Sequence, residues 1–333
     1  MSKHANISFF VTHQGCTHRC SFCDQRSITG QTNLPDADTV ISTVSMAVKN
    51  HRYTGEEREI AFFGGSFTAI DREYMLSLLK AAYPFVEEGL VSGIRVSTRP
   101  DAINEEILCI LKKYGVTAIE LGAQSMDENV LIANRRGHSK EDVYSAASLI
   151  KKYGFSLGLQ MMTGLFGATE ESDRNTVEEF IKIAPDTVRI YPTVVLKHTE
   201  LAVLVEKGNY IPFSLEETVR QCCDYYEAFE QKGIKVIRMG LHHINEDDYV
   251  AGPWHPAFSQ LCRSEINLKR LLRCFEGKEK GSYNLYVNNT RISDFVGQKK
   301  SNIEKLKEKG YVLSVRGDAD IKDGDFRLER IVN

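Results

Sequence analysis

The sequence predicts an α/β fold in which parallel strands build a barrel, complete or partial, from six βα units. Short β-branched or aromatic runs alternate with longer amphipathic segments along the chain. Residues that begin and end helices recur in register with that alternation. At 333 residues the chain is long enough for such a barrel and a smaller additional region.

Six runs are predicted to be parallel strands, namely Ile7–Val11, Glu59–Phe63, Gly93–Ser97, Thr117–Gly122, Phe155–Met162 and Asp186–Tyr191. Between them, Asp71 and Asn104 precede apolar-periodic segments and should cap helix N-termini, while Gly115 and Gly154 should end helices. In a barrel of this kind, the loops that follow the strands carry the chemistry. Site residues are therefore expected directly after each strand.

The composition changes near Arg238, and two domains are predicted: a core barrel over 1–240 and a small α+β accessory region over 241–333. Between Lys269 and Lys309, eleven Lys and Arg face five Asp and Glu. Residues 311–331 are predicted to form a hairpin. Residues 296–315 faintly resemble the loop and helix of a KH module that contacts RNA, and an amphipathic helix with exposed lysines explains the same pattern.

The composition is that of an ordinary globular protein, with 42% hydrophobic and 26% charged residues. No segment matches a signal peptide or a membrane span, which predicts a cytoplasmic protein with no membrane contact. The net charge of -3 provides no global attraction to nucleic acid. Eight cysteines, three of them within eight positions, favour a metal site over a disulfide framework.

The first strand leads into HQGCTHRCSFCDQ, in which three residues separate Cys16 from Cys20 and two separate Cys20 from Cys23. Three thiolates can hold three irons of a 4Fe-4S cluster and leave the fourth iron open for an external ligand. Phe22 would add an apolar wall beside the cluster. The alternatives are buried thiols or a zinc site completed by His13 or His18.

This CxxxCxxC loop, with an aromatic residue before its last cysteine, resembles the motif of the radical S-adenosylmethionine superfamily. FFGGSF, VSTRPD and ELGAQS follow the next strands and are similar to further motifs of that superfamily. The resemblance implies a 4Fe-4S cluster, S-adenosylmethionine and an electron donor such as flavodoxin or ferredoxin. The cofactor-binding residues that it implies are Gly64, Gly65, Ser66, Ser97, Thr98, Gln124, Arg136 and Gln160. A tight turn, capping hydroxyls and a solvated arginine are the ordinary alternatives at these positions.

Within the superfamily, the chain resembles the catalytic subunit of Elongator, which modifies the tRNA wobble uridine. FFGGSFTAID, STRPD, IELGAQSMDENVL, NRRGH and VRIYPTVVLKHTEL occur in the same order, within residues 8–215. Two features depart from that subunit: the cysteine spacing is more compact, and no acetyltransferase domain follows. These departures favour a different radical reaction.

The leading hypothesis is an enzyme that cleaves S-adenosylmethionine reductively to a 5′-deoxyadenosyl radical and abstracts hydrogen from an unidentified substrate. Tyr191 is a candidate substrate-side or radical-quenching residue. The alternatives are tRNA wobble-uridine modification, with tRNA as partner, and a non-catalytic RNA-binding iron-sulfur protein.

The C-terminal part contributes weaker patterns. AGPWHPAF, with His242 and His243 upstream, suggests that Trp254 and His255 line the barrel mouth, or that they pack within a loop. The scattered cysteines lack ligand spacing and are expected to be buried as small hydrophobic residues. They are Cys109, Cys222, Cys223, Cys262 and Cys274.

Overall fold

Seven parallel strands form the main sheet of the protein in a computed structural model, which describes residues 5–12, 14–16, 20–24, 33–49, 55, 58–241 and 244–331. The strands are Ala5–Val11 (β1), Arg58–Gly64 (β2), Ile94–Thr98 (β3), Val116–Gln124 (β4), Ser156–Thr163 (β5), Thr187–Pro192 (β6) and Lys235–Met239 (β8). They lie side by side in chain order, with β1 and β8 at opposite edges. The predicted partial parallel barrel is confirmed, and each predicted strand lies within two residues of an observed one.

Helices follow the strands as the alternation predicts. They are Ala37–Val48 (α1), Arg72–Glu87 (α2), Glu105–Lys113 (α3), Glu128–Ala133 (α4), Lys140–Lys152 (α5), Glu170–Ile183 (α6), Glu200–Glu206 (α7) and Leu215–Gln231 (α8). Asp71 accepts a hydrogen bond from the Tyr74 amide, and Asn104 from the Ile107 amide, so both predicted N-caps are confirmed. None of the helices in the described part of the chain has the length and apolar character needed to cross a membrane.

The two faces of the main sheet differ in polarity because side chains alternate along each strand. The face toward the helices is apolar and buried, as at Ile60, Phe62, Leu121, Leu159 and Ile190. The opposite face carries polar and charged residues from consecutive strands: Glu59, Arg95, Ser97, Glu120, Gln160 and Arg189. The concave polar face is the interior of the partial barrel.

Contacts divide the chain into two units, one of residues 2–214 and 228–254 and the other of residues 215–227 and 255–333. The first unit holds the main sheet and the two-stranded sheet formed by Val195–Leu196 (β7) and Tyr249–Ala251 (β9). The predicted domain boundary at 240/241 differs from this division and stays a prediction.

The second unit contains a three-stranded sheet with helices, and it corrects one prediction. Its elements are Phe258–Phe275 (α9), Gly281–Val287 (β10), Ile292–Val296 (α10), Ser301–Glu308 (α11), Tyr311–Gly317 (β11) and Phe326–Arg330 (β12). The prediction of a hairpin over 311–331 is wrong, because β11 and β12 both pair with β10 and lie on opposite sides of it. Strand β10 is therefore the central strand, and its residues Tyr283, Leu285 and Val287 are buried.

Two further predictions concern exposure. Helix α11 is amphipathic, with Asn302 and Leu306 buried and its lysines exposed, as expected for the simpler interpretation of this segment. RNA contact there stays a prediction.

The scattered cysteines differ in exposure. Cys222, Cys223 and Cys262 are buried as predicted, whereas Cys274 is half-buried. Cys109 is exposed, so its predicted burial is wrong: it lies on the solvent side of the strongly amphipathic helix α3.

Candidate functional site

The cysteine loop that follows β1 is held against the turn that follows β2. The Gly65 amide donates to the Val11 carbonyl at 2.8 Å, and the Ser66 amide donates to the Gln14 carbonyl at 2.9 Å. Gly15 has a φ of +70°, and a Cβ atom there would lie 2.4 Å from the Ser66 carbonyl oxygen. The two loops therefore approach so closely that side chains are excluded between them.

The cysteines occupy different environments within this loop. Cys16 is exposed, while Cys20 and Cys23 are half-buried. The Cys23 amide donates to the Cys20 carbonyl at 3.2 Å, which closes a turn between them. Residues 17–19 lie outside the described residues, as do His13 and His18, the ligands considered for zinc.

Ser21 and Asn134 fix this turn to the barrel, and sequence reasoning missed both. The Ser21 hydroxyl donates to Asn134 Oδ1 at 2.7 Å, and the Ser21 amide donates to the Asn134 carbonyl at 3.2 Å. Asn134 is fully buried, and its side-chain amide donates to the Val130 and Phe166 carbonyls. A polar residue at the end of the apolar helix α4, directly before two arginines, was the available signal.

The thiols of Cys16, Cys20 and Cys23 lie close enough for the charge of one to affect the pKa of another. Burial, followed by the Cys20 and Cys16 charges, raises the pKa of Cys23 to about 12. Partial desolvation of its sulfur, followed by the Cys20 charge, also raises the pKa of Cys16, although the residue is exposed, and a hydrogen bond with Ser66 opposes this effect. Thiols with raised pKa values become thiolates readily only when a metal replaces the proton. Within the described ranges, no three His, Cys, Asp or Glu side chains converge as a preformed metal site. The donor set of three thiols and the neighbouring guanidinium nevertheless fit an anionic iron-sulfur cluster.

Arg136 connects the cysteine loop to β4. Its Nη1 lies 3.1 Å from Cys20 Sγ, and its Nη2 donates to the Gly122 carbonyl at 2.5 Å. The guanidinium also lies over the Phe22 ring, 5.8 Å from its centroid. Its buried Nε has no hydrogen-bond partner among the described residues. One donor therefore stays available in a position that already contacts a proposed cluster ligand.

Gln124 lies beside Arg136 at the end of β4. A Cβ atom on Gly122 would lie 3.1 Å from Gln124 Nε2 and 3.6 Å from Arg136 Nη2, so both side chains flank this glycine. Gln124 has a left-handed φ of +67°, which is strained for a residue with a side chain. Its buried Oε1 has no partner among the described residues.

The remaining predicted cofactor residues divide into two groups. Ser97 and Gln160 meet inside the barrel, where Gln160 Nε2 lies 3.2 Å from Ser97 Oγ and 2.8 Å from Glu120 Oε2. Thr98 instead shares a 2.6 Å hydrogen bond with the Thr68 hydroxyl, which ties β3 to the turn after β2. Thr98 thus supports the turn of Gly64, Gly65 and Ser66 indirectly, through Thr68.

A charged network fills the barrel interior, and sequence reasoning missed it. Glu120 accepts two hydrogen bonds from Arg189, at 2.6 and 2.8 Å, and one from Arg95 at 3.2 Å. Arg95 also donates to Glu59 at 2.7 Å. Charged residues at alternate positions of otherwise apolar strands were the available signal.

Tyr191 follows Arg189 by two residues and is half-buried on the same strand. It packs with Phe22 against the cluster of Val130, Met162 and Leu165. Burial raises the pKa of its hydroxyl. The phenol therefore remains protonated in a position close to the cysteine loop.

The cysteine loop borders a cavity of about 810 Å³, whose lining includes Cys20, Cys23, Arg135, Lys197, His198 and Val203. Trp254 packs against the cluster of Val194, Leu196 and Ile244. His255 accepts a hydrogen bond from the Ala257 amide at 3.0 Å. These contacts favour the interpretation that both residues pack locally, and His242 and His243 lie outside the described residues.

Comparisons with known proteins agree with this geometry. Residues 10–180 match the model of the Radical SAM superfamily, and residues 185–269 match that of the Radical_SAM C-terminal domain. The chain is 28% identical over 201 residues to the tRNA uridine(34) acetyltransferase of Methanocaldococcus infernus, covering 54% of this chain and 38% of that protein. It is 29% identical over 192 residues to human Elongator complex protein 3, covering 52% of this chain and 35% of that protein.

A structure of the archaeal Methanocaldococcus infernus Elp3 with an N-terminal deletion has the same fold. It superimposes with a TM-score of 0.65 at 23% identity, covering 88% of this chain and 68% of that one. By contrast, the match spans little more than a third of the length of the tRNA uridine(34) acetyltransferase and of human Elongator complex protein 3. It belongs to the radical S-adenosylmethionine superfamily, whose members are enzymes that bind a 4Fe-4S cluster and S-adenosylmethionine.

Proposed function

We propose that this enzyme cleaves S-adenosylmethionine reductively and abstracts hydrogen from a substrate held in the barrel interior. When bound, the cluster and S-adenosylmethionine supply a 5′-deoxyadenosyl radical. The observation that carries the proposal is the position of the cysteine loop. Gly65, Ser66 and Arg136 hold it at the edge of the sheet where the strands end.

Cys16, Cys20 and Cys23 would hold three irons of the cluster. Gly64, Gly65 and Ser66 would present backbone groups to the methionine part of the cofactor, since their turn lies directly against the loop. Arg136 would bind the methionine carboxylate through its unpartnered Nε while it contacts Cys20.

Gln124 and the pair Ser97–Gln160 would contact the ribose of the cofactor. The free Oε1 of Gln124 supports this assignment, because a buried amide oxygen without a donor costs stability until a ligand hydroxyl supplies one. Thr98 would act indirectly, by holding the turn after β2. Tyr191 would face the substrate from β6.

A tRNA uridine is a second candidate substrate, because the acetyltransferase and Elongator relatives match over the barrel. The match covers 38% of the Methanocaldococcus infernus protein, so it supports the radical chemistry on a tRNA uridine and does not address acetyl transfer. Electrons would come from a donor such as flavodoxin or ferredoxin.

The test is anaerobic reconstitution with iron and sulfide, followed by dithionite and S-adenosylmethionine. We expect 5′-deoxyadenosine from the wild type and none from Cys20→Ala. Cys109→Ala removes an exposed cysteine outside the loop and serves as the matched control, with wild-type iron content and product.

Absence of 5′-deoxyadenosine from wild type with a full cluster, even after addition of cell extract, would refute the proposal. Adding bulk tRNA tests the second candidate. RNA binding that weakens steeply with salt, together with faster product formation, would identify RNA as the substrate.

A further inference from the structure

In the described part of the barrel interior, the carboxylates and guanidinium groups of the charged network pair with one another, and only the guanidinium of Arg238 has no carboxylate partner. Glu59 and Glu120 are matched by Arg95 and Arg189 through hydrogen bonds of 2.6 to 3.2 Å. Arg189 is fully matched, since its Nε and Nη2 bind the two oxygens of one carboxylate. Arg238 on β8 adds a further positive charge to this face.

Arg238 lies directly beside Arg189. Strands β6 and β8 are parallel, and Arg189 pairs with Arg238 in their register, so both side chains lie on the same face of the sheet. Like charges at neighbouring positions of a sheet repel each other. An anion between or beside them would remove that repulsion.

The contacts of Arg238 leave most of its donors unused. Its Nε donates to the Gly240 carbonyl at 3.0 Å, and its Nη2 donates to the Leu241 carbonyl at 3.3 Å. Both carbonyls follow the C-terminal end of β8, so the guanidinium lies at the C-terminal ends of the strands, as do the turn after β2 and Gln124. A guanidinium has five N–H donors, so three remain. Among the described residues, no carboxylate contacts Arg238.

The electrostatics agree with an uncompensated charge. Burial lowers the pKa of Arg238, the Tyr191 side chain opposes that shift, and the Arg189 charge adds to it. Tyr191 follows Arg189 by two residues on the same face of β6, at the position beside Gly240 of the neighbouring chain segment. Its protonated hydroxyl can therefore donate to a ligand that binds Arg238.

We propose that Arg238 and Tyr191 bind an anionic group of the substrate, a carboxylate or a phosphate, at the C-terminal edge of the main sheet. A planar fork with free N–H groups suits either oxyanion. This inference deepens the proposed function, since it names the chemistry by which the substrate is held near the cofactor. It also makes Arg238 a residue that determines specificity.

The test uses orthophosphate and acetate as probes, each titrated against chloride at equal ionic strength, with the thermal midpoint of the full-length protein as readout. Variants are Arg238→Gln and Arg238→Lys. Lys235→Gln removes an exposed positive charge from the same strand and is the matched control.

We expect one of the two probes to raise the midpoint of the wild type and of Lys235→Gln. The apparent Kd for that probe should rise at least about tenfold in Arg238→Gln, which corresponds to the loss of one charge-assisted hydrogen bond. Arg238→Lys keeps the positive charge without the planar guanidinium, so its apparent Kd should lie between those of the wild type and Arg238→Gln. If Arg238→Gln does not fold, the comparison of Arg238→Lys with the wild type is the test. A stronger response to phosphate indicates a phosphorylated substrate, and a stronger response to acetate indicates a carboxylate.

Equal responses of wild type and both Arg238 variants, or no response of the wild type beyond that to chloride, would overturn the inference. The titration is independent of S-adenosylmethionine cleavage. Wild-type protein that forms 5′-deoxyadenosine without binding either anion refutes only this inference, and the reverse result refutes only the proposed function.

Discussion

Two buried titratable residues near the barrel edge have pKa values shifted in opposite directions. Burial raises the pKa of Asp173 to about 7, although the Gly164 amide and the Thr163 hydroxyl donate to its Oδ2 at 2.8 Å. Burial, followed by the charge of Arg136, lowers the pKa of His138 to about 4. His138 Nε2 lies 3.2 Å from the Ala123 carbonyl and supports the segment that carries Gln124.

These shifts make opposite contributions to stability between pH 4 and 6.5. In that range folded Asp173 keeps a proton that the unfolded chain has lost, so its contribution falls as pH rises. Unfolded His138 holds a proton that the folded state lacks, so its contribution rises with pH. In the wild type the two slopes largely cancel.

Each single substitution should therefore reveal the slope of the other residue. In Asp173→Asn the free energy of unfolding should rise with pH relative to wild type, by up to about 1.4 kcal/mol per pH unit. In His138→Gln the free energy of unfolding should fall with pH relative to wild type, by a similar amount per pH unit. Urea unfolding of the apoprotein at several pH values between 4.5 and 6.5 measures both. Curves parallel to that of the wild type would contradict the shifts.

At the scale of elements, the close approach of the cysteine loop to the turn after β2 depends on two glycines, Gly15 in the loop and Gly65 in the turn. A Cβ atom on Gly65 would lie 2.2 Å from the Gln14 carbonyl oxygen and 2.6 Å from that of Val11. Because those atoms belong to the backbone, they can move only if the loop itself moves. The closeness of these segments thus determines where the cysteines lie.

Gly65→Ala should displace the cysteine loop and reduce the iron bound after reconstitution to less than about half, at a stability cost of about 1–3 kcal/mol. Iron and sulfide assays, with urea unfolding, measure this outcome. Gly208→Ala is the control, since φ there is also positive (+71°) but no atom lies within 4 Å of an added Cβ. It should cost about 1 kcal/mol and leave iron unchanged. Full iron loading of Gly65→Ala would show that the loop tolerates the change.

At the scale of the whole molecule, each of the two units has its own core. The core of the second unit comprises Leu268, Leu271, Phe275, Tyr283, Leu285, Val287, Phe295 and Leu306. Leu285 is fully buried at the centre of the middle strand β10. All of these residues lie outside the unit that contains Cys16, Cys20 and Cys23.

Leu285→Ala should therefore destabilise the second unit by about 2–5 kcal/mol while cluster assembly at low temperature is preserved. Val312→Ala on the neighbouring strand β11 is the control, because Val312 is 51% exposed and should change stability by no more than about 0.5 kcal/mol. Denaturant unfolding and iron content are the measurements. Loss of iron in Leu285→Ala would show that the first unit depends on this core.

The sequence by itself determined the features that rest on local patterns. The spacing of Cys16, Cys20 and Cys23 indicated the superfamily, and hydrophobic alternation located all six predicted strands. Asp71 and Asn104 could be recognised as N-caps because capping acts within three residues of the chain.

Only the tertiary structure decided which distant residues meet. The hairpin prediction failed because β10, more than twenty residues before β11, lies between β11 and β12. Asn134 under Ser21, Glu120 between Arg95 and Arg189, and Arg238 beside Arg189 follow from strand order and register. Local sequence patterns do not encode the order and register of strands, because these depend on how all the elements pack together.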